Sequence, residues 1–242
     1  MNLCIDQGNS STKTGIFDQN ILVECASFEN FGITEVSELL EKFSVKACVL
    51  SSVILDNDDL LTYLQSKFSD LILLSHLTPV PIENRYKTPE TLGKDRLAVV
   101  VGASFLKPET DILVVDAGTA ITYDFIDANK VYWGGNIAPG LNLRLRALHE
   151  FTQKLPLVEA REDSPLLGTD TPSAITSGAL HGIVYEIDGY INTLKFKYPQ
   201  LSVFLTGGST FYFDTKLKNA IFAERNLVLI GLNRILQYNV QK

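Results

Sequence analysis

The chain has 242 residues, 45% of them hydrophobic and 20% charged, with a formal net charge of −7. That is enough chain for one large or two small globular domains; the acidic balance argues against broad nucleic-acid binding, and no apolar run reaches membrane-spanning length. Three cysteines (Cys4, Cys25, Cys48) sit in apolar strand-like contexts without metal-ligand spacing, which reads as reduced core thiols of a cytoplasmic protein.

From the N-terminus, residues 3–6 and 13–17 are expected to pair as strands, followed by a strand over 21–27. A strand starting at Leu3 leaves no room for a signal peptide. Val36, Leu39, Leu40 and Phe43 recur at helical spacing and predict a helix over 34–43. A strand over 47–50, an amphipathic helix over 56–68 and a strand over 71–74 follow. This alternation implies parallel strands joined by crossover helices.

Residues 75–93 differ. They hold Pro79, Pro81 and Pro89 together with Asn84, Arg85, Tyr86 and Lys87. A loop of this length is either functional or a plain surface excursion. Gly93-Lys94-Asp95-Arg96 then leads into an apolar helix over 97–105, which places Asp95 and Arg96 at a helix N-terminus. Asp95 could serve there simply as an N-cap. A cap does not need the adjacent arginine.

The second half opens with Leu113-Val114-Val115-Asp116-Ala117-Gly118-Thr119-Ala120-Ile121-Thr122. An apolar strand ends on Asp116, turns at Gly118 and restarts at Ile121. Leu3 to Asp18 has the same plan: Asp6 aligns with Asp116, Gly8 with Gly118 and Asn9 with Thr119. Two such copies, one opening each half, suggest a duplicated α/β fold rather than two unrelated hairpins, with domains over 1–108 and 109–242.

A strand over 130–133 comes next. Gly134 to Gly140 reads as a rigid turn into a helix over 141–149, where Arg144 and Arg146 are expected to be solvated. Residues 152–170 are irregular. Thr171 as N-cap and Pro172 at the first helical position begin a long helix to about residue 195. Its Ser177, Gly178 and Gly182 allow close packing, against a second copy or inside the domain. A strand over 202–206, a helix opened by Gly207-Gly208-Ser209 and a closing helix over 227–238 complete the chain. His149 and His181 read as structural, and Trp133 as packed or lining a cleft wall.

Five motifs in this order resemble the type III pantothenate kinases and, through them, the acetate and sugar kinase/Hsp70/actin superfamily. Asp6-Gln7-Gly8-Asn9-Ser10-Ser11-Thr12-Lys13 is similar to the family's first phosphate motif, and Gly93-Lys94-Asp95-Arg96 to its G-x-D-R. Asp116-Ala117-Gly118-Thr119 resembles its second phosphate motif. Gly134 to Gly140 resembles its G-G-x-I-x-P-G, and Thr206-Gly207-Gly208 its T-G-G. The family's Asn-Thr pair before the long helix is Asp170-Thr171 here. The resemblance implies an α/β, duplicated actin-like (ribonuclease H-like) fold: two mixed sheets flanked by helices, with a central cleft. It implies ATP-dependent phosphorylation of the primary hydroxyl of pantothenate to 4′-phosphopantothenate, the first step of coenzyme A biosynthesis. It also implies a cytoplasmic homodimer, Mg²⁺ carried with ATP, and a monovalent cation (K⁺ or NH₄⁺).

The chain lacks the P-loop G-x-x-x-x-G-K-[ST], so phosphates must be held differently. Gly8, Asn9, Ser10, Gly118, Thr119, Gly207 and Gly208 are expected to serve ATP. Lys13 would add positive charge, unless it is a solvated strand residue. Asp6 would orient Mg²⁺ through its waters. Asp95 is the expected catalytic base for the alcohol. Gly93, Lys94 and Arg96 surround it at the substrate, where the resemblance also places Tyr86 and Thr171, and it places the monovalent cation at Asp116. Another small-alcohol or sugar kinase, or a transcription accessory factor on the same fold, remain the alternatives; the presence of Asp6, Asp95 and Asp116 favours the enzyme.

Overall fold

The computed structural model describes residues 1–8, 11–53 and 58–240. The first elements are β1 (Asn2–Gln7), β2 (Thr12–Asp18), β3 (Ile21–Phe28), α1 (Ile33–Lys42), β4 (Ala47–Ser52), α2 (Asp58–Lys67) and β5 (Asp70–Leu73). There follow β6 (Glu83–Asn84), α3 (Lys94–Leu106), β7 (Ile112–Ala117), β8 (Ala120–Ile126), β9 (Val131–Pro139) and α4 (Leu141–Glu150). The last are α5 (Thr171–Lys197), β10 (Ser202–Thr206), β11 (Phe222–Ala223) and α6 (Leu227–Val240). Residues 56 and 57, expected in the second helix, lie outside the described residues. Packing divides the chain into two units, Met1–Pro108 with Lys130–Tyr132 and Asn226–Lys242, and Glu109–Asn129 with Trp133–Arg225. Two parts of the half 109–242, α6 and Lys130–Tyr132, therefore group with the first unit.

In the first unit the sheet order is β3-β2-β1-β4-β5. β1 runs antiparallel to β2 and parallel to β4. Leu3, Cys4 and Ile5 are all fully buried because both sheet faces are covered. Leu3 and Ile5 join Cys48, Val36, Leu39 and Leu60 on the face of α1 and α2. Cys4 joins Val49, Ala98, Val101 and Leu232 on the face of α3 and α6. A strand buried on both faces reads as an unbroken apolar run, as this one does. Cys4 and Cys48 are core thiols on opposite faces, as expected. Cys25 is not: it is exposed on the edge strand β3, with its thiol 3.4 Å from Asn226 Oδ1.

α3 is buried from Arg96 to Ser104. It crosses α6 where two glycines meet: a Cβ on Gly231 would lie 1.8 Å from Ala98 O, and one on Gly102 2.6 Å from Leu227 O. Side chains at either position would hold the helices apart. Asn233 fixes α6 further, accepting from Asn2 Nδ2 at 2.9 Å and donating to Gln19 O at 2.8 Å.

The second unit repeats this plan. β7 is antiparallel to β8 and parallel to β10, and the order β11-β10-β7-β8-β9 is the first sheet's order read backwards. β6 pairs with Val131 and Tyr132 at the start of β9, inside the first unit. Leu113, Val115 and Tyr123 of the sheet form a core with Leu145 of α4 and with Leu180, Ile183 and Ile187 of α5. Two mixed sheets flanked by helices are thus present, as expected from the sequence.

Two local expectations are corrected here. Gly134 to Pro139 is not a turn but the end of β9; Gly135 runs so close to β8 that its Cβ would lie 1.7 Å from Tyr123 O. Gly207-Gly208-Ser209 opens only a 3₁₀ turn over Thr210–Tyr212, with Thr210 Oγ1 donating to Gly207 O at 2.7 Å. Trp133 is 57% exposed and donates to Asp127 Oδ2 at 2.9 Å. The two histidines are structural, as read. His149 Nδ1 lies 2.8 Å from Leu155 O and His181 Nε2 3.1 Å from Pro165 O, tying the irregular 152–170 segment to helices. No helix among the described residues is long and apolar enough to cross a membrane.

Candidate active site

In the first unit, Asp6 is the penultimate residue of β1, with Lys13 as its neighbour on β2 and Ser51 as its neighbour on β4. Burial is the main force raising its carboxyl from 3.8 to about 6; the charge of Asp95 adds to this, while a Ser51 hydrogen bond and Lys13 oppose it. Asp6, Lys13, Ser51 and Asp95 therefore share one electrostatic neighbourhood. The turn after β1 is closed by Gly8 N–H donating to Ser11 O at 3.1 Å. Asn9 and Ser10 lie outside the described residues.

Asp95 sits in the first turn of α3. Gly93 is the residue before the helix, and a Cβ on it would come 2.5 Å from Asp95 Oδ1, so glycine clears the room that this carboxylate occupies. Asp95 Oδ1 accepts from Arg96 N–H at 2.8 Å. The carboxylate is exposed, so its other oxygen can receive a proton from outside. Lys94 Nζ donates to Ser52 O at 2.8 Å, which ties the helix start to β4. Arg96 is only 4% exposed, and its guanidinium lies over the Tyr86 ring at 5.4 Å. Tyr86 is offset-stacked on Tyr132 at 6.3 Å, and its N–H donates to Asn84 Oδ1 at 2.9 Å. Tyr132 was missed from sequence, and Asn84 was named there only as a residue of the 75–93 loop. Nothing in the pattern shows that the start of β9 pairs with β6.

In the second unit, Asp116 is likewise the penultimate residue of its strand, with Thr122 and Thr206 as neighbours. Gly118 N–H donates to Ala120 O at 3.1 Å, as Gly8 does to Ser11. Each turn glycine thus uses its own N–H inside its hairpin. Gly140 N–H donates to Thr119 O at 3.0 Å. Gly207 has φ +98°, and a Cβ there would lie 2.4 Å from Asp116 Oδ1, whereas a Cβ on Gly208 would meet nothing within 4 Å. Thr122 Oγ1 is buried with no hydrogen-bond partner among the described residues. A carboxylate and an orphaned hydroxyl on neighbouring strands are hard oxygen donors, which fits a small cation. No three His, Cys, Asp or Glu side chains gather as a metal site among the described residues.

Thr171 is not the cap of α5. Asp170 is: its Oδ1 accepts from Ser173 N–H at 2.8 Å, while Ser173 Oγ accepts from Asp170 N–H at 3.2 Å. Hydrogen bonding of the carboxylate by the Ser173 backbone N–H, and by its side chain, lowers the Asp170 carboxyl below its ordinary value. Thr171 is thereby released from capping and lines a shallow hollow with Leu148, Gly168 and Ala174.

Residues 2–193 match the sequence profile of the type III pantothenate kinases. A Phocaeicola vulgatus protein named type III pantothenate kinase is 51% identical over 239 residues, covering 99% of both chains. A solved Campylobacter jejuni chain, provisionally named a Baf family transcriptional activator, gives a TM-score of 0.62 at 23% identity, covering 99% of this chain and 100% of that one. A Listeria monocytogenes protein provisionally named an N-acetylmannosamine kinase gives 0.55 at 14%, covering 99% of each chain. These two likenesses speak for the fold alone. On the profile and the full-length identity, the chain belongs to the type III pantothenate kinase family.

Proposed function

We propose that this chain transfers the γ-phosphoryl group of ATP to the primary hydroxyl of pantothenate, giving 4′-phosphopantothenate and ADP. The observation that carries the reading is the Gly93–Arg96 turn: glycine makes room for an exposed carboxylate, and a buried arginine follows it. A primary alcohol is a poor nucleophile until its proton has somewhere to go. Asp95 takes that proton as the new O–P bond forms and the bond to the ADP oxygen breaks; such a base contributes about 10²–10⁴-fold. Arg96, held over Tyr86, offers a planar fork to the substrate carboxylate. Gly93, Lys94 and Tyr86 complete the substrate set in the first unit, and Thr171 is the substrate residue assigned in the second.

Asp6, Gly8, Asn9, Ser10 and Lys13 are assigned to phosphate contact in the first unit, and Gly118, Thr119, Gly207 and Gly208 to nucleotide contact in the second. Mg²⁺ bound with ATP neutralises phosphate charge, and Asp6 would hold it through water. Asp116 and Thr122 would hold K⁺ or NH₄⁺. A homodimer fits the exposed stripe of α5, where a Cβ on Gly178 or Gly189 would meet nothing within 4 Å and Phe196 is 94% exposed. Ser177, 2% exposed, belongs to the interior instead. A cytoplasmic location completes the proposal.

The test is ATP consumption by the purified protein with pantothenate, with and without K⁺. Turnover that needs pantothenate supports the reading. Turnover with other alcohols but not pantothenate would discard the substrate, and none with any acceptor would discard the kinase.

A further inference from the structure

We infer that Arg144, Glu186 and Tyr123 form a positioning network for the nucleotide, acting through the Pro139–Gly140 corner on the Gly118–Thr119 turn. The inference rests on that turn serving ATP. Arg144, expected to be solvated, is instead tied down at two of its guanidinium nitrogens. Its Nε donates to Pro139 O at 2.7 Å and its Nη2 to Glu186 Oε2 at 2.6 Å. The other Glu186 oxygen accepts from the Tyr123 hydroxyl at 2.8 Å. Tyr123 is 2% exposed, and its ring stacks on Tyr190 at 4.2 Å. Its hydroxyl therefore cannot swing elsewhere, and it aims Glu186, which aims the guanidinium.

The guanidinium is a rigid fork, so fixing Nη2 fixes where Nε points. It points at the carbonyl of Pro139, one residue before the contact with the phosphate turn. Gly140 N–H then donates to Thr119 O at 3.0 Å. A Cβ on Gly140 would lie 2.4 Å from Gly118 O and 2.5 Å from Thr119 O, so the corner is pressed onto the turn without a gap. Any shift of Pro139 is passed directly to Gly118 and Thr119. An ion pair that served only to staple α4 to α5 would not need its third bond to Pro139. Arg146, two residues on, shows that ordinary case: it makes an exposed pair with Glu150 at 3.0 Å.

The experiment compares wild type with Arg144→Lys, Glu186→Gln and Tyr123→Phe. ATP affinity is read by calorimetry, the KM for ATP and for pantothenate by kinetics, and folding by near-UV circular dichroism. Lysine keeps the charge but has no fork, and glutamine keeps the shape of Glu186. The expected result is an ATP affinity weaker by about tenfold in R144K and E186Q, the order set by losing one charge-assisted hydrogen bond. The pantothenate KM should stay unchanged, and Y123F should give a smaller effect in the same direction. ATP affinity that is undiminished in folded R144K and E186Q overturns the inference. Loss of both affinities together also overturns it, since that is general loosening of the fold. Wild-type protein that binds no ATP overturns the nucleotide assignment itself, and the inference with it.

Discussion

Replacing Asp6 with asparagine should make the protein more stable at neutral pH while harming its chemistry. The Asp6 carboxyl is raised from 3.8 to about 6, chiefly by burial and next by the charge of Asp95. Two units at about 1.4 kcal/mol each mean that ionised Asp6 costs the folded state about 3 kcal/mol. The sign follows from which form the fold prefers. The folded state favours the protonated acid, so the stability is present below the unfolded value of 3.8 and is lost as pH rises through about 6. Against a total of about 5–15 kcal/mol for a typical domain, this is a large fraction.

The assay is urea unfolding of wild type and Asp6→Asn in chelator-treated buffer across the acid-to-neutral range. Asparagine changes hydrogen bonding as well as charge, so the gap at any one pH is not diagnostic; its growth with pH is. The gap should widen in favour of the variant by about 2 kcal/mol between about pH 4.5 and about pH 7, then level off. A gap that stays flat over that interval would refute the claim that Asp6 is held near Asp95 in a desolvated place.

Asp95→Asn should lower kcat by about 10²–10⁴-fold with the fold intact, and near-wild-type turnover would remove Asp95 as the base. The same variant should flatten the pH dependence of wild-type stability, because Asp95 is one of the causes raising Asp6. Thr122→Val deletes a buried hydroxyl that has no partner among the described residues. It should leave urea stability unchanged or improved while weakening activation by K⁺; wild-type K⁺ activation would count against the hydroxyl as a cation donor. Gly231→Ala places a Cβ 1.8 Å from Ala98 O and should destabilise by about 1–3 kcal/mol or more, seen as a lower urea midpoint.

The two Asp-x-Gly hairpins could be read from sequence because their pattern is local: an apolar strand, a carboxylate, then a glycine turn. What escaped the sequence was set by partners far along the chain. Gly134-Gly135 reads as punctuation, but glycine is there because β9 runs against the backbone of Tyr123. Gly102 and Gly231 look ordinary until α3 and α6 are seen to meet at them. Cys25 lies in a strand like the other cysteines, yet β3 is an edge strand and this thiol is exposed. Arg144 looked solvated because nothing local shows that Glu186 comes beside it. The α5 cap was recoverable. Asp170 and Ser173 stand at capping-box spacing, and a reciprocal pair outcompetes a lone Thr171.

The duplication also explains why two matching carboxylates receive different assignments. Asp6 and Asp116 occupy the same place in the same hairpin, each with one neighbour on an antiparallel strand and one on a parallel strand. For Asp6 these neighbours are Lys13 and Ser51, so a cation already belongs to the position and lowers the cost of bringing phosphate charge near. For Asp116 they are Thr122 and Thr206, which bring hydroxyl oxygens and no positive charge. A cation site needs negative charge together with neutral oxygens, and the second copy supplies that combination without a lysine beside the carboxylate. Gly207 reinforces it, since a side chain there would stand 2.4 Å from Asp116 Oδ1 and fill the space beside the carboxylate. A lysine in place of Thr122 would give the second copy the character of the first. On this argument it would carry its own cation and no longer respond to K⁺.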